Sequence, residues 1–240
     1  MKLAPVRPAN SLVDEVCLQL SSRIRSEHAD GEGWLPPERT LAEQLGVSRP
    51  VVREATKRLE LQGMLEIRHG SGIKMVNRLH APLNRAVTLL LPNEIERLRQ
   101  LTETRLILEP SLARLAAARM NARNRKQLRA IHQRLIAAET SEDAIPADMD
   151  FHRAIADFSG NAILHLLLDS LADLHRSSLA RGYERVSTSN AVAQHEEILA
   201  ALEARDGDAA ARAMHEHLFT AWNDLGLRGS PATLESHRQP

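Results

Sequence analysis

This 240-residue chain has a single cysteine, Cys17. No internal disulfide can form, which excludes the disulfide frameworks of small secreted proteins. Aromatic residues make up 2% of the chain. That is too few for a protein that grips single strands by stacking bases on rings. No apolar run approaches the roughly 18 residues of a membrane span. The longest run, AILHLLL, is interrupted by His165. The opening MKLAPVRPAN lacks the apolar core of a secretory signal. These absences predict a cytoplasmic protein. Net charge is also absent, with 31 cations against 31 acids, so the molecule as a whole is no polycation.

The charge that is present is unevenly placed. From Arg39 to Arg78 eight cations stand against four acids, a local excess of four positive charges. Such a field favours a polyanionic partner. Residues 1–77 carry short helical patterns and a glycine turn, and residues 93–228 carry long Ala/Leu-rich helical patterns with no strand-like alternation. Between them, 78–92 reads as a linker around a short helix, with prolines at 82 and 92. The tail 229–240 is predicted to be disordered.

In the first region Leu12, Val16, Leu20 and Ile24 recur four apart, one face of a helix. Ser11 and Asp14 suit a capping box at its start. Cys17, among apolar neighbours at helical spacing, is expected in the core. A loop follows, with Gly31, Gly33, Pro36 and Pro37. ERTLAEQLG is a short helix with Leu41, Ala42 and Leu45 inward, ended by Gly46. Ser48 is placed to cap the next helix, and Pro50 is tolerated in its first turn. That helix runs to about Leu61 with Val51, Val52, Ala55 and Leu59 inward. LEIR and IKMV then alternate like strands across HGSG, a hairpin.

Helix, short helix, tight turn, helix and hairpin make a winged helix-turn-helix. The second helix of such a pair fits the DNA major groove, where its N-terminal residues reach base edges. Arg49 and Arg53 share one face there, and an arginine at that place can bind guanine in a bidentate manner. Lys57 and Arg58, further along, suit phosphates or solvent. His69 at the hairpin tip can donate to a base edge or a phosphate. An exposed amphipathic helix with ordinary surface arginines is the alternative. The stretch LPPERTLAEQLGVSRPVVREATKRLELQGMLEIRHGSG closely resembles the DNA-binding domain of GntR-family bacterial transcription regulators. The resemblance implies DNA contacts at Arg39, Ser48, Arg49, Arg53, His69 and Gly70. Pro50 and Val51 depart from the family's pattern, where small hydroxyl residues are common.

The second region predicts an antiparallel bundle with helices at about 94–120, 123–139, 147–158, 161–180, 189–204 and 208–226. Pro110 is expected to kink or break the first of these. Ionisable residues fall on the inward stripes. Asp148 and His152 share the face of Phe151, Ile155 and Phe158. His195 lies in the stripe of Ala191, Ile198 and Leu202, and His217 in that of Met214 and Ala221. Burying such groups is costly unless they are paired or bind a metal. One carboxylate and three imidazoles suit a divalent cation such as Zn²⁺, with other first-row metals open. Hydrogen-bonded core histidines are the other reading, and His215 rivals His217. His132, His165 and His175 read as surface or helix–helix contacts. Arg105, inside the pattern between Leu101 and Leu108, can pair with an acid ligand or with Glu109. Asn161 is a pocket candidate or a helix cap.

DMDFHRAIADFSGNAILHLLL, QHEEILAALEARD, AMHEHL and LTETRLILEPSLARLAAARM resemble the all-helical, FCD-type ligand domain of the FadR subfamily of GntR regulators. The resemblance implies a divalent metal on Asp148, His152, His195 and His217, and an effector cavity lined by Arg105. The implied protein is a homodimeric, effector-responsive regulator, a repressor by expectation, that binds a pseudo-palindromic operator. Its effector would be a small hydroxycarboxylate or sugar acid, with the linker passing the signal on. Two rivals are a helical metalloenzyme acting on a small acid and an architectural DNA binder with a bundle that senses nothing. No nucleophile constellation supports the former.

Overall fold

The structure, a computed structural model, describes residues 11–27, 33–68, 70–91, 93–227 and 231. His69 lies outside the described residues, as does all of the expected 229–240 tail except Pro231. Contacts divide the chain into two compact units, Met1–Pro82 and Leu83–Pro240.

The first unit opens with α1 (Leu12–Glu27). Ser11 N–H donates to Asp14 Oδ2 and Asp14 N–H to Ser11 Oγ, each at 3.2 Å. That reciprocal pair satisfies two helix-end donors. Val16, Leu20 and Ile24 are buried, while Leu12 at the head of the row is exposed. Cys17 is only half-buried, with Sγ 3.6 Å from the Ala55 carbonyl oxygen. It rims the core and does not enter it, contrary to the expectation from its neighbours. Within the expected loop lies a two-residue strand, β1 (Trp34–Leu35), too short to show any periodicity. α2 (Glu38–Leu45) ends at Gly46, whose φ of 66° is left-handed. α3 (Arg49–Leu61) buries Val52, Ala55, Thr56 and Leu59. β2 (Leu65–Arg68) and β3 (Gly72–Met75) form the hairpin, and the antiparallel sheet has the order β1-β3-β2. Leu65 pairs with Met75 and Ile67 with Ile73, which turns Leu65, Ile73 and Met75 onto the helices as one core.

Among its described residues the second unit has helices and connecting turns but no strand. α4 (Ala81–Leu90) spans the division between the units. α5 (Glu94–Arg119), α6 (Ala122–Ile136), α7 (Ser141–Phe158), α8 (Ala162–Asp169), α9 (Ala172–Tyr183), α10 (Ser189–Glu203) and α11 (Gly207–Asp224) follow. Pro110 does not break α5, which continues as one helix with Leu106, Leu112 and Ala113 buried on either side of it. Packing there outweighs the one backbone bond that proline removes. α7 begins at Ser141, well before the expected 147, because the Thr140 side chain caps it by accepting from Asp143 N–H. The stretch expected as one helix over 161–180 is two, α8 and α9, parted at Ser170 and Leu171. Phe151, Ile155, Leu106, Leu128, Ile198, Leu202, Met214 and Leu218 share one core. α5 presents Ala113, Ala116 and Ala117 there, all fully buried. Among the described residues no helix is long and apolar enough to cross a membrane.

Candidate functional site

Each unit carries a constellation. In the first, α3 runs with Arg49, Arg53 and Lys57 four residues apart and exposed, a row along one face. An open groove of about 670 Å³ brings Arg39, Arg49, Arg53, Lys57, Arg68 and Gly70 to its walls. Gly70 has φ 77°, which favours glycine and holds the hairpin tip in a tight turn. Arg53 is held by Glu38, with Nε to Oε2 at 3.2 Å and Nη2 to Oε2 at 3.0 Å. Arg53 is exposed and Glu38 half-buried, so Arg53 can exchange that carboxylate for another acceptor at small cost. Arg39 pairs with Glu43 at 2.8 Å. Arg58 turns instead to Glu54 and Asp14. Ser48 precedes α3 as expected, yet its hydroxyl makes no capping bond.

In the second unit the helix phases converge four side chains. His217 Nε2 lies 3.2 Å from His152 Nε2 and 3.4 Å from His195 Nε2. Asp148 Oδ1 is 3.6 Å from His152 Nε2, and its Oδ2 is 3.8 Å from His195 Nε2. All four residues are buried. His215, two residues before His217 and so on the opposite side of α11, is only half-buried and is not part of the cluster.

The outer ring atoms decide what this cluster can hold. His152 Nδ1 is 2.5 Å from Glu109 Oε2. His217 Nδ1 is 3.2 Å from Gln194 Oε1, and the Gln194 amide nitrogen donates to Thr220 Oγ1 at 2.8 Å. The Thr220 hydroxyl is itself spent on the Glu216 carbonyl oxygen, so the Gln194 oxygen faces His217 as an acceptor. With both rings neutral, each carries its proton on Nδ1, and two Nε2 lone pairs face each other. Neither can donate to the other. Asp148 Oδ1 is buried with no hydrogen-bond partner. A shared cation resolves both defects. Two nitrogens bound at about 2.1 Å to one ion sit about 3.0–3.4 Å apart, the separation seen here. The residues present fit a divalent metal. Burial holds the imidazoles of His195 and His217 well below the usual histidine range, which keeps them neutral, the ligating form.

His195 is oriented differently. Its Nδ1 is buried without a hydrogen-bond partner, and the ring lies flat on Phe151, centroids 4.0 Å apart and planes 9° from parallel. Asp148 Oδ2 accepts from Tyr183 Oη at 2.6 Å. Burial, then the Asp148 charge, push the Tyr183 hydroxyl up, so it stays a donor.

Beside the cluster is a cavity of about 50 Å³ whose walls include Arg105, Asp148, Tyr183, Gln194 and His217. Arg105 is 2% exposed and its Nε donates to Glu109 Oε1 at 2.5 Å. Its Nη2 is buried without a hydrogen-bond partner. The two sequence readings of Arg105, pocket wall and partner of Glu109, thus describe one side chain. Asn161 instead caps α8, accepting from Leu164 N–H at 3.1 Å, and is absent from the cavity wall.

Two residues beside the cluster were not among its predicted members: Glu109, expected only as a partner of Arg105, and His175. Glu109 sits on the buried stripe of α5 one turn after Arg105, so its spacing carried the signal. His175, read as a surface or helix–helix residue, is buried with Nε2 4.0 Å from Asp148 Oδ1. With Asp148 and His152 it forms a second group able to hold a metal. No partner at helical spacing marks it in the sequence, and its Asp148 neighbour lies on another helix.

A winged helix-turn-helix joined to a helical unit defines a class of DNA-binding transcription regulators. Residues 12–75 match the bacterial regulatory proteins of the gntR family, and residues 100–220 match the FCD domain. The Uxu operon regulator of Haemophilus influenzae is 31% identical over 77% of this chain and 70% of its own. The putative L-lactate dehydrogenase operon regulatory protein of Escherichia coli is 32% identical over 86% of this chain and 83% of its own. Among solved structures, Streptococcus agalactiae GntR superposes with a TM-score of 0.71 at 26% identity, covering 88% of this chain and 99% of that one. The chain belongs to the gntR family of bacterial regulatory proteins, with an FCD domain as its second unit. It is a DNA-binding transcription regulator and not an enzyme.

Proposed function

We propose that this regulator is a cytoplasmic repressor whose affinity for its operator is set by a small carboxylate bound in the helical unit beside a divalent metal. Asp148, His152, His195 and His217 would hold the metal, with Zn²⁺ favoured by the imidazole-rich set. When bound, the metal supplies positive charge and open coordination positions for an acid ligand. Arg105 adds a buried guanidinium nitrogen without a partner on the cavity wall, and an arginine binds a carboxylate strongly. Tyr183 holds Asp148 in place from the other side.

The observation that carries the proposal is the meeting of two imidazole Nε2 atoms at 3.2 Å, with the Asp148 carboxylate beside them, next to a cavity that Arg105 lines. A cavity of about 50 Å³ has room for about four waters. One relative is named for an L-lactate dehydrogenase operon, which favours a short hydroxy acid over a sugar acid. Binding acts on transcription only if the acid prefers one of two conformations of the chain. On DNA, Arg49 and Arg53 would read base edges, while Arg39, Ser48, Gly70 and His69 would fix the wing and helix on the backbone. A homodimer would place two recognition helices on the half-sites of a pseudo-palindrome.

Elemental analysis after dialysis, combined with calorimetric titration of L-lactate, glycolate and glucuronate, tests the sensor half. About one metal per chain and saturable binding of one short acid are expected. A metal-free protein that binds none of these acids would sink it.

A further inference from the structure

We propose that Glu109 is a positioning residue that ties the effector-facing Arg105 to the metal-facing His152, so that the two halves of the site are set by one carboxylate. The inference rests on the metal and effector reading above and deepens it. Glu109 is 1% exposed and lies one helical turn from Arg105 on α5, while His152 comes from α7. Its two oxygens are divided between two tasks. Oε1 accepts from Arg105 Nε and Oε2 faces His152 Nδ1, each at 2.5 Å.

Three consequences follow from that division. First, a carboxylate that accepts from Nδ1–H fixes the His152 tautomer, and the lone pair is left on Nε2, where His217 and Asp148 converge. No other described group is bonded to His152 Nδ1, so without Glu109 that nitrogen would be buried without an acceptor. Second, the bond to Nε pins the guanidinium and leaves its unpartnered Nη2 beside the cavity. Third, an anion arriving at Nη2 competes for the charge that Arg105 lends to Glu109. More of the carboxylate's charge then falls on the His152 N–H, which strengthens that ring as a ligand. Acid and metal would each tighten the other, and the linkage is reciprocal. His195 and His217, held by a stacked ring and a neutral amide, have no such charged link to the cavity.

The test reads Zn²⁺ affinity by competition with a chelating dye, and the His152 tautomer by two-bond ¹⁵N–¹H correlation in metal-free protein. The parent is expected to show the proton on Nδ1. A proton on Nε2 overturns the proposal whether or not metal binds. Glu109→Gln is expected to bind one Zn²⁺ per chain about 10- to 100-fold more weakly. Because Glu109→Gln strands the Arg105 charge, the double variant Arg105→Met/Glu109→Gln is the control for folding. If the double variant keeps the weakened affinity, Glu109 acts on His152. If it regains parental affinity, Glu109 merely neutralises Arg105 and the proposal falls. Failure of the metal reading itself looks different, since the parent would then bind no stoichiometric Zn²⁺.

Discussion

The two units treat charge in opposite ways. On the first, Arg39–Glu43 has side chains 71% and 61% exposed, and Arg53–Glu38 lies on an open groove. On the second, Arg105–Glu109 has side chains 3% and 2% exposed, and Asp148 and three histidines are buried with them. Exposed pairs contribute about 0–1 kcal/mol and dissolve readily when a better partner arrives. Buried ones persist only if every member is satisfied, because a stranded charge is expensive. The first arrangement suits a surface that must trade its acids for phosphates. The second suits a site that recognises a small ion or acid by completing an unfinished set of partners.

The contrast can be broken most sharply at the buried cluster. Stripping divalent metal with a chelator is expected to lower the unfolding temperature of the protein, and restoring Zn²⁺ to about 1,000 times its dissociation constant should return about 4 kcal/mol. Calorimetry with His152→Ala as the comparison decides it. A variant that keeps the parent's metal content and melting point would contradict the assigned ligands. On the exposed side, Arg53→Ala should weaken operator binding by about 1–3 kcal/mol and relax base preference. Lys57→Ala should instead weaken all sequences alike and reduce the salt slope by about 1. Equal affinity of Arg53→Ala and parent for operator over random DNA would remove Arg53 from the interface.

Backbone positions sharpen the same comparison. Gly63 has φ 78°, and an added Cβ would overlap the Arg78 carbonyl where the chain leaves the wing. Gly63→Ala should destabilise the first unit by about 1–3 kcal/mol. Gly46 is left-handed too but faces open space, so Gly46→Ala should cost about 1 kcal/mol. Denaturant melts that rank them the other way would reject the wing geometry. The smallest effect belongs to His165, whose pKa is raised by its bond to Asp169 against the opposing effect of burial. A raised folded-state pKa stabilises fully below the ordinary value of about 6.5, and that stabilisation is lost as pH rises through the folded value. His165→Asn should remove less than about 1 kcal/mol of it. A parent and variant whose stability difference is constant from mildly acid to mildly alkaline pH would show no such linkage.

Legibility in the sequence followed the same line between local and distant. The first unit could be read because its determinants are neighbours: Gly46 ends α2, Val52, Ala55 and Leu59 mark the buried face of α3, and a glycine turn joins β2 to β3. Only β1 was hidden, since two residues have no period and its partner β3 lies some forty residues on. In the bundle the Asp148–His152 spacing and the stripes of α10 and α11 pointed inward correctly. What could not be read was how residues far apart in the chain meet. Glu109 needed the knowledge that α5 faces α7. His175 needed the same for α9, since its Asp148 neighbour lies on another helix. The start of α7 lies six residues before the expected 147, where the Thr140 side chain caps it, and Pro146 is accommodated inside the helix.

The most direct test of the whole account is fluorescence anisotropy of a labelled operator, selected from random duplexes, at fixed salt and saturating Zn²⁺. L-Lactate, glycolate and glucuronate would be titrated against the parent and against Arg105→Met. The account predicts that a short hydroxy acid releases the parent from DNA and leaves Arg105→Met bound. Specific binding that no acid alters, or release that ignores Arg105, would contradict the claim that the buried site of the helical unit governs the exposed site of the other.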